Sequence, residues 1–511
     1  MPQPQPHPGA LSLVVFVIAL TGGCAGDSGG RAFDTGMSST GTVDVEALTA
    51  VVEGEMAELG VTAMSMAILQ GGVPVWSGGF GTLAPGDPTP VDADTLFRVA
   101  SVTKPMTALA LLQNVDAGCL QLDDAVNEHI PFEIGVQPDH SENFLVGHTL
   151  THTGGLLDHE IQSGQEGDGF IEPFLEEFQF AGGFLAPPGR MYNYSNTNLV
   201  VAGRLVEVCS GQSFRAYMEQ EVWSPLGMDR TAFDQATVLE DGNHAAGITT
   251  LLEESSGEDL IVGPESYAAA NLWPAMGAWS SADDLAQLAV FLLDGNEQVL
   301  SSSLTDAMRS SQVERLEGFP DAGHGYGLNI KTGVEIGGSR YPVRMLSHTG
   351  FLFGYSSFLY VVPELDIAVI ALLNRDSVYP EQSIDAALDL ASQVDPGPLS
   401  VLEPDPSTFG DFVGTYTHEY VMGDFIFSLD GETLQVSVPS LDDSGVDYET
   451  DLVAVRPDNF EMRIDGRTQL LSFIRDETGA VEFVRNRYYV GALSERGNAR
   501  QVAPVPPGFL R

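Results

Sequence analysis

Five stretches of the chain have the hydrophobic spacing of α-helices, with apolar residues recurring every three to four positions. In chain order they span residues 44–59, 101–117, 198–209, 281–293 and 382–393. The first three are followed by Gly60, Gly118 and Gly211, and glycine commonly ends a helix. Ser281, with Asp284 three residues later, is a helix-start signal for the fourth stretch.

Runs of apolar residues that are too short for helices lie before and after this helical region. Residues 63–69 and 73–79, joined by Gly71-Gly72, predict a β-hairpin. Three further strands are predicted at residues 343–348, 355–362 and 367–373. The order predicts an α/β (α+β) fold in which an antiparallel sheet is flanked by the terminal helices and joined to a helical subdomain.

The hydrophobic period changes to two after a Pro/Gly-rich stretch at residues 395–405. Apolar residues alternate at 434–438 and 460–464, and Asp-Gly turns occur at 430–431 and 465–466. Short strands at regular spacing predict a separate, small all-β domain with a barrel-like form. The predicted units are a helix-and-sheet domain at 44–397, a linker at 398–408, the β domain at 409–492 and a tail at 493–511.

The charge of the chain narrows the classes of function. Its 511 residues carry a formal net charge of −49, spread along the chain rather than concentrated in one run. A nucleic-acid-binding protein needs a basic face, so we predict no nucleic-acid partner. A hydrophobic content of 43% is that of a globular protein and not of a disordered one.

The N-terminal residues have the pattern of an export signal. Residues 1–23 contain no Lys, Arg, Asp or Glu, and an apolar stretch from Ala10 to Leu20 precedes Thr21-Gly-Gly-Cys24. This resembles a bacterial lipoprotein signal, with cleavage before Cys24 and lipidation of its thiol; the alternative is an ordinary secretory signal. We therefore expect an exported protein, held to a membrane only through Cys24, with a Gly/Ser-rich tether at 24–43.

Two more cysteines occur in the chain. Cys119 and Cys209 both lie late in predicted helices among apolar neighbours, so we interpret them as buried structural thiols rather than metal ligands or nucleophiles. The sequence leaves open whether they form a disulfide.

Ser101 and Lys104 are the strongest candidates for chemistry. Serine and lysine three positions apart lie on one face of a helix, and Pro105 places them at its start. The following run, 106–112, is apolar nearly all round, which predicts a helix buried at a domain centre. Lysine occurs elsewhere only at Lys331. A lysine that loses its proton can act as a base, which arginine cannot do.

Three motifs together resemble those of the serine β-lactamase-like hydrolases, which include class C β-lactamases, D-alanyl-D-alanine carboxypeptidases and related esterases (peptidase S12-like). The motifs are Ser101-Val-Thr-Lys104, Tyr194-Ser-Asn196 and His348-Thr-Gly350. Flanking stretches at 150–156 and 274–277 agree with the same family. The resemblance covers about residues 44–395 and implies a β-lactamase/transpeptidase-like fold for that region.

The resemblance also implies roles for the site residues. Ser101 would be the nucleophile, Lys104 its base and Tyr194 a proton shuttle to the leaving group. The N–H groups of Ser101 and Phe351 would hold the oxyanion. The implied substrate-binding residues are Asn196, His348, Thr349, Gly350 and Phe351.

The function we expect is that of a metal-free serine acyl hydrolase without a cofactor, acting through an acyl-enzyme on a small-molecule, peptide or ester substrate. The alternative is a protein of the same fold that acylates slowly or not at all and serves as a binding or sensor protein. The motifs do not separate carboxypeptidase, β-lactamase and esterase activities. An unperturbed histidine has a pKa of about 6.5, so we expect His348 to favour carboxylate-bearing substrates only when it is protonated.

Two other patterns suggest alternatives that we consider weaker. Lys331-Thr-Gly333 matches the lysine form of the third motif. It is not followed by the glycine, the hairpin strands and the closing helix that this fold requires, whereas residues 348–350 are. His148 and His152, with His159 and Glu160 nearby, have a spacing found in zinc sites, yet no Glu lies between the first two to activate a water. We predict no metal.

Overall fold

A computed structural model describes most of the chain. The described residues are 44–132, 134, 138–158, 167–178, 183–251, 258–266, 269–315, 322–336, 339–391, 404–418, 422–486 and 489–495. The signal peptide predicted at 1–23, Cys24 and the tether to residue 43 lie outside them, as do His159, Glu160 and most of the predicted linker and tail. The chain divides into two compact units at the boundary between Glu403 and Pro404.

Helices account for much of the first unit. They are α1 Val45–Leu59, α2 Thr103–Asp116, α3 Pro138–Ser141, α4 Val146–Thr151, α5 Ile171–Phe178, α6 Asn196–Ser210, α7 Phe214–Tyr217, α8 Ser224–Leu226, α9 Gln235–Asp241, α10 Trp273–Met276, α11 Ala282–Asp294, α12 Ser302–Met308 and α13 Glu381–Ala391, with α14 Pro439–Ser444 in the second unit. Single 3₁₀ turns include Ala100–Val102, directly before α2.

The strands of the first unit are β1 Ala63–Gln70, β2 Val73–Gly81, β3 Phe97–Arg98, β4 Gly247–Thr249, β5 Leu260–Val262, β6 Trp279–Ser280, β7 Val313–Glu314, β8 Ala322–His324, β9 Asn329–Ile336, β10 Ser339–Leu352, β11 Tyr355–Val362 and β12 Ile367–Leu373. Eight of them form one sheet in the order β2-β1-β12-β11-β10-β9-β8-β7, and each neighbouring pair is antiparallel. The pairs β3–β6 and β4–β5 are separate two-stranded sheets. The predicted antiparallel sheet with flanking helices is confirmed.

The centre of this sheet is buried because helices cover it. All seven residues of β12 are buried, and α11 and α13 both contact this strand. The carboxylate of Glu55 on α1 accepts hydrogen bonds from the backbone N–H groups of Gln382 and Ser383, at 2.9 and 2.8 Å. These groups lie in the first turn of α13, where unpaired N–H groups favour a negative charge, so the contact fastens the two terminal helices together.

The two remaining cysteines are bonded to each other. Cys119 lies just after α2, Cys209 lies in the last turn of α6, and the two form a disulfide with their Cα atoms 5.9 Å apart. Cys119 is exposed and Cys209 is only partly buried. The interpretation of both as buried thiols is therefore wrong, because hydrophobic neighbours in the sequence do not fix which face of a helix end meets solvent.

The second unit is an antiparallel sheet that almost closes on itself. Its strands are β13 Gly414–His418, β14 Gly423–Asp430, β15 Thr433–Ser437, β16 Val453–Arg456, β17 Asn459–Ile464, β18 Arg467–Arg475, β19 Val481–Arg485 and β20 Val490–Glu495. They are arranged in the order β15-β14-β13-β20-β19-β18-β17-β16, and a bridge between Gln435 and Asp451 links the two ends. The predicted barrel-like form is confirmed.

Aromatic side chains form the core of this barrel-like sheet. The rings of Phe412 and Phe473 stack 4.4 Å apart, and those of Phe425 and Tyr489 stack 4.2 Å apart.

Within the part of the chain that the structure describes, no helix has the length and apolar composition needed to cross a bilayer.

Candidate active site

Ser101 lies in the tight turn that leads into the buried helix α2. Ala100, directly before it, has a left-handed backbone with φ of 46°, which is uncommon for a residue other than glycine. The hydroxyl of Thr103 donates a hydrogen bond to the carbonyl of Ala100, at 2.6 Å. The turn therefore holds Ser101 in a fixed position at the helix N-terminus, where its side chain is only partly buried.

Lys104 is fully buried and has three oxygen neighbours. Its Nζ lies 2.9 Å from Ser101 Oγ, 2.8 Å from Asn196 Oδ1 and 2.8 Å from the carbonyl oxygen of Ala275. The amide and carbonyl oxygens can only accept hydrogen bonds, so two N–H groups of Lys104 point at them. In the neutral amine, the remaining position is a lone pair directed at the Ser101 hydroxyl. This geometry suits a base that takes the serine proton.

Tyr194 and Asn196 reach the same point from the start of α6. The hydroxyl of Tyr194 donates to Ser101 Oγ at 3.0 Å, and Lys104 Nζ lies 4.8 Å from the centre of the Tyr194 ring. The backbone N–H of Asn196 donates to Asp158 Oδ1 at 2.8 Å. Since free N–H groups at a helix start attract carboxylates, Asp158 anchors this end of α6 beside α2.

The third motif lies on β10, and β10 runs against the turn of Ser101. A Cβ atom on Gly350 would lie 2.2 Å from the carbonyl oxygen of Val99 and 3.0 Å from the backbone nitrogen of Ser101. Only glycine therefore allows this approach. The neighbouring strand helps, because Ser357 Oγ donates to the same Val99 carbonyl at 2.6 Å.

His348 is buried, with only 2% of its surface exposed. Its Nδ1 lies 2.8 Å from the carbonyl oxygen of Thr349, so this nitrogen carries the proton of the neutral ring. Burial lowers the pKa of His348 well below its ordinary value, and the charge of Lys104 lowers it further. This burial argues against the expectation that His348 gains a charge near pH 6, and the sequence does not show the burial.

Thr349 and Phe351 flank Gly350 on β10. Thr349 is partly exposed, and its side chain is hydrogen-bonded to Tyr379. The side chain of Phe351 is buried against Tyr379, with ring centres 5.0 Å apart. Burial raises the pKa of Tyr379 to about 12, so this phenol stays protonated. The ring of Phe351 is therefore largely hidden from solvent.

Arg344, a possible cation on the same strand, is engaged elsewhere. Its Nε lies 2.6 Å from Glu364 Oε1, and its Nη1 donates to the carbonyl of Arg309 at 3.3 Å. Lys331 lies on β9, where it pairs with Met345 of β10. Strand β10 contacts the Ser101 turn extensively, and β9 does not.

The zinc-like spacing of His148 and His152 has another explanation. His148 Nδ1 accepts from the backbone N–H of Leu145, and His152 Nδ1 accepts from that of Ser195, each at 3.2 Å. Burial lowers the pKa of His148 to about 4. Neither histidine belongs to a group of His, Cys, Asp or Glu side chains placed to share an ion among the described residues.

The sequence does not assign three contributors to this site. The Ala275 carbonyl binds Lys104, Asp158 binds the start of α6, and His152 stacks on Tyr194. Ala275 and His152 belong to the flanking stretches at 274–277 and 150–156, so the family pattern marks their positions without giving their roles. Asp158 lies just beyond those stretches, and nothing in the sequence distinguishes it from many other acidic residues.

Solved structures share the fold of this chain. The octameric penicillin-binding protein homologue from Pyrococcus abyssi is 24% identical, with a TM-score of 0.58, and the match covers 88% of this chain and 100% of that protein. At this level of identity the likeness concerns the fold alone. The matched share is larger than residues 44–395, so the likeness extends into the C-terminal unit.

Several named relatives are similar to this chain in sequence. Penicillin-binding protein 4 of Amycolatopsis lactamdurans is 27% identical over 361 residues, which are 66% of this chain and 89% of that protein. Esterase EstB of Burkholderia gladioli is 31% identical over 316 residues, which are 56% of this chain and 79% of that protein. The family model described as Beta-lactamase matches residues 48–393. The chain belongs to the beta-lactamase family and is a serine hydrolase.

Proposed function

We propose that this protein hydrolyses acyl esters or amides through an acyl-enzyme on Ser101. The observation that carries the proposal is the convergence of two proton-transfer groups on one oxygen. Lys104 Nζ and Tyr194 Oη lie 2.9 and 3.0 Å from Ser101 Oγ. These distances lie within hydrogen-bond reach, which a general base or acid requires.

In the first step, the neutral amine of Lys104 takes the proton of Ser101 as Oγ attacks the acyl carbon. The new bond pushes an electron pair onto the carbonyl oxygen, and the N–H groups of Ser101 and Phe351 would stabilise that oxyanion. The close approach of Gly350 to Ser101 supports this assignment, since it brings the strand that carries Phe351 beside the nucleophile.

In the second half of acylation, Tyr194 donates its proton to the leaving group and recovers one from Lys104. The carbonyl re-forms as the bond to the leaving group breaks, which leaves the acyl group on Ser101. Water then attacks the acyl carbon while the same groups take its proton. The bond between this carbon and Ser101 Oγ breaks, Oγ regains a proton, and the carboxylic acid is released. Asn196 binds Lys104 through its Oδ1, and we infer that its NH₂ group donates to a substrate carbonyl.

Neutral esters are the substrates that the site suits best. His348 stands where related motifs carry a lysine, and its low pKa leaves it uncharged near neutral pH. Arg344 is paired with Glu364. A substrate carboxylate therefore meets less positive charge on β10 than a lysine motif would supply. The similarity to an esterase, EstB, is in accord with this choice.

A panel of substrates tests the proposal. Short-chain esters, a D-alanyl-D-alanine peptide, a penicillin and a cephalosporin would be offered to the natural protein and to Ser101→Ala. We expect hydrolysis of the esters, lost in the variant. Labelling of Ser101 without turnover of any substrate would favour the binding or sensor function instead. Equal hydrolysis by Ser101→Ala would refute both the proposed hydrolase function and the binding or sensor function.

We also propose that the protein is exported and lipidated at Cys24. The disulfide between Cys119 and Cys209 supports export, because disulfides persist mainly in oxidising compartments. Bacteria expressing the full chain would be fed a labelled fatty acid. We expect label in the natural protein and none in Cys24→Ser; label retained in that variant would exclude this anchor.

A further inference from the structure

His152 contacts Tyr194 and the residues on both sides of it. Its imidazole stacks on the Tyr194 ring, with centres 4.3 Å apart and an angle of 28° between the planes. Its Nδ1 accepts from the backbone N–H of Ser195 at 3.2 Å. Its carbonyl oxygen accepts from the backbone N–H of Asn193 at 2.7 Å. One residue therefore binds the main chain on both sides of Tyr194 and also one face of its ring.

The position of His152 is itself fixed. It ends α4 with a left-handed backbone, φ 54°, and is completely buried. Its ring also packs against His324, with centres 5.2 Å apart. Burial lowers the pKa of His324 to about 3, so this neighbour is uncharged. Because these contacts fix the His152 ring, the ring can in turn restrict the position of the Tyr194 side chain.

We propose that His152 is a positioning residue that keeps the Tyr194 hydroxyl at the leaving group. The inference rests on the proposed function, in which Tyr194 supplies the leaving-group proton. Nδ1 must stay unprotonated to accept from Ser195, so the neutral ring carries its proton on Nε2. Lys104 Nζ lies 4.8 Å from the centre of the Tyr194 ring, so Lys104 places a positive charge beside this ring once it has taken the serine proton.

The consequence concerns the leaving group. An alkoxide leaves only with a proton, so hydrolysis of an alkyl ester needs a well-placed Tyr194. A p-nitrophenolate ion leaves without one. General acid catalysis contributes roughly 10² to 10⁴-fold, so displacement of Tyr194 should slow the alkyl ester far more than the aryl ester. A general loss of folded protein would slow both by the same factor.

The experiment compares kcat/KM for an ethyl and a p-nitrophenyl ester of the same acid. His152→Asn is the first variant, because asparagine tolerates a left-handed backbone and keeps an acceptor for Ser195 while it loses the ring. His152→Tyr keeps a ring and loses the acceptor. His148→Asn is the matched control. His148 lies on the same helix, α4, and accepts a hydrogen bond from the backbone N–H of Leu145 rather than from a residue next to Tyr194. Tyr194→Phe is the reference for complete loss.

We expect the ethyl-to-aryl ratio to fall by about tenfold or more in both His152 variants, toward the value of Tyr194→Phe, since small displacements of a catalytic group are costly. The ratio should not change in His148→Asn. Equal losses for both esters, no loss, or unfolding of both His152 variants would overturn the proposal. If the natural protein shows no hydrolysis that depends on Ser101, the proposed function itself fails.

Discussion

Lys104 is held where the loss of one proton makes it a base directed at Ser101. Asn196 and the Ala275 carbonyl occupy two of its donors, and the third position faces the nucleophile. The same three contacts would satisfy a charged ammonium group, so the amine remains paired in both states. Its charge, unlike that of arginine, can change during the reaction.

This leads to a prediction for Lys104→Arg. The positive charge is retained, but arginine cannot act as a base, and its larger planar head does not fit a fully buried space shaped for an amine. We expect labelling of Ser101 by a fluorophosphonate to fall by about 10² to 10⁴-fold, the range of general-base catalysis. Circular dichroism would show that the variant is folded. Labelling at the natural rate would contradict the role of Lys104.

A second prediction follows from the burial of His348. Its lowered pKa keeps the ring neutral from pH 8 to pH 5.5, because deprotonation is complete well above a depressed pKa. The ratio of kcat/KM for a carboxylated ester to that for its neutral analogue should therefore be flat over this range. The charged or titratable groups that act on His348 are Lys104, His324 and Arg315.

The ratio cancels the titration of Lys104, which serves both substrates. Arginine side chains do not lose their proton in this pH range, so a carboxylate preference supplied by Arg315 would also be independent of pH and would fall in Arg315→Gln. A ratio that rises as the pH falls through 6.5 would show that His348 does gain a proton.

At the scale of elements, two helices carry the two halves of the site. Ser101 and Lys104 lie at the start of α2, and Asn196 opens α6. The disulfide between Cys119 and Cys209 joins the opposite ends of these helices. It therefore restrains the two helices without touching the reacting groups.

We predict that the double variant Cys119→Ser with Cys209→Ser is less stable by about 2–5 kcal/mol, as is usual when a native disulfide is lost. Activity well below the unfolding temperature should change by less than about threefold, because the disulfide does not touch the reacting groups. A threefold change corresponds to well under 1.4 kcal/mol in the activation barrier. Thermal unfolding and ester hydrolysis of the same samples would measure both. An unchanged unfolding temperature, or a folded but inactive variant, would contradict the prediction that the disulfide contributes to stability and not to catalysis.

The elements themselves were largely predictable, whereas the contacts between them were not. The hairpin, the strands after residue 343 and the helix that begins after Ser281 follow from local hydrophobic period and caps. The motifs located Ser101, Lys104, Tyr194 and Asn196, and these residues converge. The charge state of His348, the pairing of Arg344 and the disulfide depend on which distant residues meet, and local pattern does not carry that information.

At the scale of the whole molecule, each of the two units has its own set of buried apolar residues. The first is built from a helix-covered sheet, and the second from aromatic residues such as Phe412 and Phe473. We propose that the first unit folds by itself and predict that a protein truncated after Asp395 stays folded and retains Ser101-dependent hydrolysis. Circular dichroism and ester hydrolysis would test this. An insoluble or unfolded product would mean that the units share a core and that the proposed boundary is wrong.

The central claim is that an acyl group is carried by Ser101, and mass spectrometry of the intermediate tests it most directly. The protein would be mixed with a p-nitrophenyl ester, quenched in acid within the first turnover and digested. We predict that the peptide containing Ser101 gains the mass of the acyl group, and that Ser101→Ala shows neither the adduct nor hydrolysis. An adduct on another residue, or hydrolysis that persists in Ser101→Ala, would contradict the account.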